Sequence, residues 1–372
     1  LLLAAVHLFR APLAHLVGVD ETVFWYGSLL AILSVAIEIY MPLLNAAQKS
    51  RAYAALTVLK TGAALGLSIG LILYLREDRY LGRVFGELIV VGLLSLYAVF
   101  AMGTMSSWRF SRAHLFYALA FSLPLLPHTI SRFVLGWFDR ILIFNIVDEN
   151  ATGLYSFAYD VGMAMNLIVL ATVRAWRPIF FEEYRQQNLD RINRMARHYA
   201  LDIYFIAFVI ILFAQEAVTL VADEKFAPAF PLIPVIILGY VFVFLYTLYF
   251  QYAAFDRRTG LISVNTVIAG AANVGLNWWL IPIFGYAAAA WTSLFSFALL
   301  YVLHYLNARF VLKAAVIPPG AVLPRMGLLL AATAAVMAGG AVITVWWILL
   351  PLKALLLVLG IRYYYGCRRR AV

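Results

Sequence analysis

Eight ionisable side chains stand within or at the ends of otherwise apolar runs of this 372-residue chain: Glu38, Lys60, Arg132, Asp139, Arg140, Asp160, Asp202 and Glu216. An unpartnered charge in such surroundings costs roughly 3 kcal/mol, so each of these residues marks either a pathway or a pair. The chemistry open to them is narrow. Arginine is a permanent cation whose planar fork binds phosphate or carboxylate bidentately. A carboxylate can take up a proton, hold a cation or pair with a base.

Position sorts these residues. Lys60 and Asp202 lie close enough to the ends of their runs to reach water. Glu216 also lies near a run's end. Asp139 and Arg140 end theirs, and read either as structural residues bonded to each other's neighbours or as part of a pathway. Arg132 lies mid-run, with Pro124 and Pro127 one to two turns earlier and His128 at i−4. Prolines bend a helix, and that is tolerated where the helix lines a cavity. Asp160 either serves the same pathway or forms an Arg132–Asp160 pair that pins two helices. Glu38, four residues before Pro42, is either a carboxylate that couples transport to H⁺ or Na⁺, or the partner of Lys60.

The elements that must hold these residues follow from composition. Hydrophobic residues make up 65% of the chain and charged residues 12%, about half the share in a soluble domain. That excludes an ordinary water-soluble domain, a disordered chain and a fibrous repeat. No alternating strands suggest a membrane β-barrel. The expected fold is an all-α polytopic membrane protein. Runs of about 20 apolar residues occur near 1–17, 23–44, 52–75, 84–107, 114–138, 151–173, 199–221, 229–254, 261–283, 285–310, 326–347 and 350–366, which makes twelve. The chain begins Leu1-Leu2-Leu3 without Met, so a preceding segment is expected. Cys367 is the single cysteine, which excludes an internal disulfide or a thiolate metal cluster. No phosphate-binding loop appears, so ATP hydrolysis is not supported; no catalytic constellation is visible either, and neither a cofactor nor enzymatic activity is expected.

The net charge of +10 could suggest nucleic acid, but the basic residues sit in short connections between apolar runs. Alternate connections and the tail hold 20 Lys and Arg, the other set holds 7, and Arg132 remains within a run. That is the positive-inside pattern. It puts the C-terminus in the cytoplasm of a multi-pass inner-membrane protein. The longest polar stretch, Arg174–His198, is then cytoplasmic. Within it Phe181, Tyr184, Ile192, Met195 and Tyr199 share roughly one helical face, so an amphipathic surface segment is expected over 178–198.

A weak internal repeat runs through the chain. Gln48-Lys49-Ser50-Arg51 and Phe255-Asp256-Arg257-Arg258 each precede an apolar hairpin, turning at Leu81–Gly86 and Phe284–Ala289 respectively. Two parallel lobes of six helices follow, the first lacking about two. The expected division is 1–107 for the rest of the first lobe, 108–311 for the second and 312–372 for two extra helices with a basic tail.

Several stretches, in order, carry a family likeness. They are Phe121-Ser122-Leu123-Pro124-Leu125-Leu126-Pro127 followed by Gly136-Trp137-Phe138-Asp139-Arg140, then Thr152–Tyr159, Ala175-Trp176-Arg177-Pro178, and Asn273-Val274-Gly275-Leu276-Asn277 through Ile281-Pro282 to Gly285. Together they resemble Wzx-type polysaccharide repeat-unit flippases of the multidrug/oligosaccharidyl-lipid/polysaccharide exporter superfamily. Alanines stand where that family often has a second glycine after Gly285.

The resemblance implies a fourteen-helix transporter, here without its first two helices. It implies alternating-access flipping of an undecaprenyl-diphosphate-linked oligosaccharide for surface polysaccharide biosynthesis, lipopolysaccharide or exopolysaccharide. Expected partners are that lipid-linked oligosaccharide, membrane lipids, and polysaccharide polymerase and chain-length machinery, with no nucleic acid. In this setting Arg132 is the first choice for the diphosphate headgroup, supported by Asp160, His128 and Arg140, with Glu38 as the ion-coupling residue and Asp139 and Lys60 as structural ones. Two rivals stand beside it. A multidrug exporter of the same superfamily would carry an acidic cavity, against which Arg132 argues. A membrane polymerase or glycosyltransferase would need a sizeable outer loop with clustered acids or His, which the sequence lacks.

Overall fold

The computed structural model describes residues 6–17, 20–47, 49–75, 79–105, 110–123, 126–220, 222–342 and 346–370. Pro124, Leu125, Arg76, Arg109 and the start of the first apolar run lie outside them. Every regular element among the described residues is helical, and nine helices are long and apolar enough to cross a membrane. With backbone groups satisfied inside each helix, such segments can sit in hydrocarbon. The protein is an all-α multi-pass membrane protein. The three other apolar runs differ in form. The first is described only from residue 6. The fifth is broken into shorter helices. The last lies in a helix whose ends carry Lys353, Arg362 and Arg368.

The chain divides into two compact units, Leu1–Arg112 and Ala113–Val372. The first holds α1 (Arg10–Val17), α2 (Glu21–Ala46), α3 (Ser50–Tyr74) and α4 (Arg79–Met105). Its core comprises Ile37, Tyr40, Leu44, Val90, Val91, Leu94, Ala98 and Ala101. Gly82 and Gly86, expected at a hairpin turn, instead occupy the first turns of α4. A Cβ on Gly86 would stand 2.6 Å from the backbone N of Ser68, and one on Gly82 2.6 Å from that of Ile72. The glycines therefore let two backbones touch, a small-residue interface of the kind that packs helices in membranes.

The second unit begins with α5 (Arg112–Ser122) and α6 (Leu126–Phe133), followed by a π-helical turn (Val134–Phe138) and α7 (Asp139–Ile146). Pro127 stands in the first turn of α6, where its missing N–H does no harm. The π turn inserts extra backbone between Arg132 and Asp139 and so resets the direction in which the two side chains leave the helix.

Next come α8 (Glu149–Arg185), α9 (Leu189–Thr219), α10 (Leu232–Phe255), α11 (Thr259–Phe284), α12 (Ala287–Leu306), α13 (Pro319–Val342) and α14 (Trp346–Arg370). α10 is buried on most of its faces and forms the centre, packed against α8, α9 and α12. α13 and α14 pack on α9.

The surface segment expected over 178–198 is not a separate helix. α8 runs unbroken for 37 residues, about 55 Å at 1.5 Å per residue, well past the ~30 Å of a bilayer core. It meets α9 at a tight turn where Gln187 has a φ of 56°. The apolar face that suggested a membrane surface packs instead on protein. Phe180 and Tyr184 lie against Tyr252, and Phe181 and Tyr184 against Phe255. Glu183, buried at the turn, accepts from Asn188 at 2.9 Å and pairs with Arg191 at 3.1 Å.

Candidate functional site

The polar interior of the second unit is built from α7, α8, α11 and α12. Gly285, with a φ of 68°, closes the short link between α11 and α12 in a conformation that glycine adopts most readily. The hairpin sets Asn273 and Asn277, one helical turn apart, opposite Thr292 and Ser293. Asp139, the first residue after the π turn, enters between them and is 0% exposed. Its Oδ2 accepts from the Tyr155 hydroxyl at 2.7 Å and the Ser293 hydroxyl at 2.6 Å, and its Oδ1 accepts from the Asn277 amide at 2.6 Å. Thr292 in turn donates to the Asn277 carbonyl oxygen. Asn273 lies 3.4 Å from Ser293 and 3.3 Å from Asn277.

Among the described residues no Lys, Arg or His nitrogen lies within ion-pairing distance of Asp139. A buried carboxylate held only by neutral donors is costly unless it is charge-compensated. Such a group can be relieved by a proton or by a small hard cation. The groups that face the carboxylate are hydrogen-bond donors, the Tyr155 and Ser293 hydroxyls and the Asn277 amide, while the Asn277 oxygen is turned to Thr292 and the Asn273 oxygen to Asn277. Among the described residues no three His, Cys, Asp or Glu side chains gather as a metal cluster.

Arg140, next in sequence, turns the other way. Its guanidinium is stacked between Trp137 and Tyr159, 4.6 and 4.5 Å from the ring centres. It donates to the Gly136 carbonyl at 2.9 Å and to Ser156 at 3.2 Å, and pairs with Asp160 at 3.7 Å. The pair envisaged between Arg132 and Asp160 is thus replaced by one between Arg140 and Asp160. The short α7–α8 link sets this register: Arg140 lies opposite Ser156 and Asp160, while Arg132, about two turns further from the link, lines a cavity with Met163 and Asn166. Asp160 remains 70% exposed on its side chain.

Trp137 and Tyr159 also wall a cavity of about 170 Å³, closed on other sides by Asn166, Tyr240, Tyr246 and Phe297, with Arg132 in its lining. No carboxylate lies within ion-pairing distance of Arg132 among the described residues. His128, one turn earlier, faces α11 and shares a 2.8 Å hydrogen bond with Thr266, so the structure does not bring it into this lining. Two walls of the cavity, Trp137 and Tyr159, therefore rest on Arg140, the residue next to Asp139. In the first unit Glu38 and Lys60 are paired at 2.9 Å, with the Glu38 side chain 63% exposed.

Sequence reasoning singled out the charges but missed Tyr155, Asn273, Asn277, Thr292 and Ser293. One signal was visible. Asn273 and Asn277 are two amides at i, i+4 in an apolar run, a spacing that puts both on one helix face.

No family model matches the chain. A curated Haemophilus influenzae protein of the Lsg locus is 22% identical over 279 residues, covering 72% of this chain and 70% of that protein. Among solved structures, the lipid II flippase MurJ in an inward closed conformation aligns with a TM-score of 0.62 at 12% identity, covering 93% of this chain and 73% of that one. The Vibrio cholerae MATE transporter VcmN aligns at 0.60 and 14%, covering 84% and 75%. A MOP superfamily transporter from Pyrococcus furiosus aligns at 0.58 and 17%, covering 84% and 74%. At these identities the likeness shows the fold alone: the chain shares the fold of these transporters.

Proposed function

We propose that this protein is a secondary transporter that flips an undecaprenyl-diphosphate-linked oligosaccharide across the inner membrane for surface polysaccharide assembly. The observation that carries the reading is Arg132, a cation without a carboxylate partner among the described residues, in the wall of an aromatic cavity inside a membrane protein. A diphosphate supplies the missing charge, and a guanidinium matches its oxygens bidentately. Trp137, about half exposed, offers a flat face to a sugar, and Asn166 a hydrogen-bonding edge. A cavity for organic cations calls for the opposite polarity, which places the multidrug reading second. The fold shared with a lipid II flippase supports a lipid-linked substrate.

Energy enters, in this reading, through Asp139. A proton or cation that compensates this carboxylate changes the charge beside Arg140, and Arg140 touches two of the cavity's walls. Glu38, which sequence reasoning put forward for coupling, has Lys60 as its partner and is assigned the structural role. The charge pattern supports a cytoplasmic α8–α9 turn and C-terminus, and outward transport from that face is what the resemblance to the flippases implies. Polymerase and chain-length proteins would receive the product on the outer face.

Reconstituted vesicles test this reading. A lipid-linked oligosaccharide should cross in the presence of an ion gradient, and Arg132→Ala should stop it while the protein stays inserted. Normal transfer by Arg132→Ala would overturn the assignment.

A further inference from the structure

The second unit holds a larger cavity, about 310 Å³, that shares no residue with the Arg132 cavity. Its walls are α9, through Leu201, Tyr204, Phe205 and Phe208, and two stretches of α13 and α14. The lining is apolar apart from Arg325 and the tyrosine hydroxyls. On α14 it extends from Leu356 to Tyr364, which at 1.5 Å per residue is about 12 Å.

Both ends of the α9–α14 contact are fastened by polar pairs. At one end Lys353 and Glu216 meet at 2.6 Å, with the Lys353 side chain only 7% exposed. At the other, Tyr364 donates to Asp202 at 2.7 Å, and Arg368 lies 3.7 Å from Asp202. Between them α14 passes close to α9, since a Cβ on Gly360 would stand 2.7 Å from the Phe208 ring. The space that remains open lies beside this contact, toward α13.

Three features identify the occupant. The cavity's depth is most of one leaflet's hydrocarbon, about 15 Å, and far short of the whole bilayer. The Lys353–Glu216 pair closes the direction along which a longer chain would continue. The opposite end carries Arg325, which is half-buried, donates to the Ala321 carbonyl at 3.5 Å and has no carboxylate within ion-pairing distance among the described residues, whereas Arg368 is already paired with Asp202. A chain of one leaflet's length under an arginine fits a single acyl chain with an anionic headgroup. A polyprenyl tail is too long for it.

We propose that the α9–α13–α14 cavity is a binding site for one anionic glycerophospholipid, its acyl chain among Phe205, Phe208 and Leu356 and its phosphate on Arg325. The site lies in the leaflet that the charge pattern assigns to the cytoplasm. It is a resident-lipid site, apart from the transported substrate.

The test is native mass spectrometry of the delipidated protein titrated with dioleoyl phosphatidylglycerol or dioleoyl phosphatidylcholine. One phosphatidylglycerol should bind at least tenfold more tightly than phosphatidylcholine. Arg325→Gln should abolish that preference and Arg325→Lys keep part of it, while Leu356→Trp, by filling the cavity, should weaken both lipids. Thermal unfolding in lipid-free detergent checks that the variants are folded, and the Arg325 pair carries the test if Leu356→Trp is not. Equal affinity for the two lipids, or a preference unchanged in Arg325→Gln, overturns the proposal. So does stoichiometric displacement of phosphatidylglycerol by undecaprenyl phosphate, which would make the site one for the carrier lipid.

Discussion

Replacing Asp139 by Asn and by Ala should separate its charge from its hydrogen bonds. In Asp139→Ala the acceptors of Tyr155, Ser293 and Asn277 disappear. Asn277 keeps the Asn273 oxygen at 3.3 Å, which leaves two buried donors unsatisfied. At about 1–3 kcal/mol each, the loss is roughly 2–6 kcal/mol, enough to deplete the folded protein. Asp139→Asn keeps the shape and one acceptor, and the hydroxyls of Tyr155 and Ser293 can rotate to accept from its amide. It also removes the expense of burying a charge, so its stability should stay within about 1–2 kcal/mol of the wild type. Its transport should nevertheless lose dependence on an imposed H⁺ or Na⁺ gradient. The assay pairs thermal unfolding in detergent with gradient-driven transfer in proteoliposomes. A stable Asp139→Asn protein that still responds fully to the gradient would refute the coupling role and leave Asp139 as the pin of α7 to α11 and α12.

Further outcomes follow from other parts of the molecule. Glu38→Gln leaves Lys60 without its carboxylate inside an apolar run, which should cost roughly 3 kcal/mol or less of stability, but gradient-driven transport per inserted protein should change less than twofold, measured beside Asp139→Asn in the same vesicles. Gly86→Leu forces a side chain into the Ser68 backbone and should lower the unfolding temperature and the yield of inserted protein, whereas Gly153→Leu, where a Cβ meets open space, should not. In a Cys367→Ser background, a membrane-impermeant thiol reagent applied outside whole cells should label Glu149→Cys and spare Gln187→Cys; the reverse would invert the proposed direction of transport.

The sequence made the fold class legible because lipid imposes one simple rule on long apolar runs. Arg132 stood out for the same reason, since a charge inside such a run is conspicuous, whereas Asp139, at the end of its run, read as a structural residue. What it concealed was carried by neutral or ambiguous residues. Asn273, Asn277 and Tyr155 cost little in a hydropathy count, yet they form the cage around Asp139. Gly82 and Gly86 read as a turn because glycine commonly punctuates chains, and only the proximity of Ser68 and Ile72 shows them to be packing contacts. The stretch after residue 173 read as a surface segment because it is charged. The structure continues α8 through it, since its apolar face has Tyr252 and Phe255 to pack on. The pairing of Arg140, and not Arg132, with Asp160 follows from where the α7–α8 link falls, which charge spacing alone did not give.

The central claim, that a gradient drives a lipid diphosphate past Arg132, is tested most directly by single-turnover flipping in sealed proteoliposomes. A fluorescent undecaprenyl-diphosphate oligosaccharide placed in one leaflet should become accessible to an impermeant quencher in the other, faster when an ion gradient is imposed. The account predicts that Arg132→Ala loses about ten- to hundredfold in apparent affinity, the equivalent of one charge-assisted phosphate contact of about 1.5–3 kcal/mol, and that Arg132→Lys recovers part of it. Transfer at wild-type affinity by Arg132→Ala would contradict it, as would a protein that moves organic cations in the same vesicles and leaves the lipid where it was.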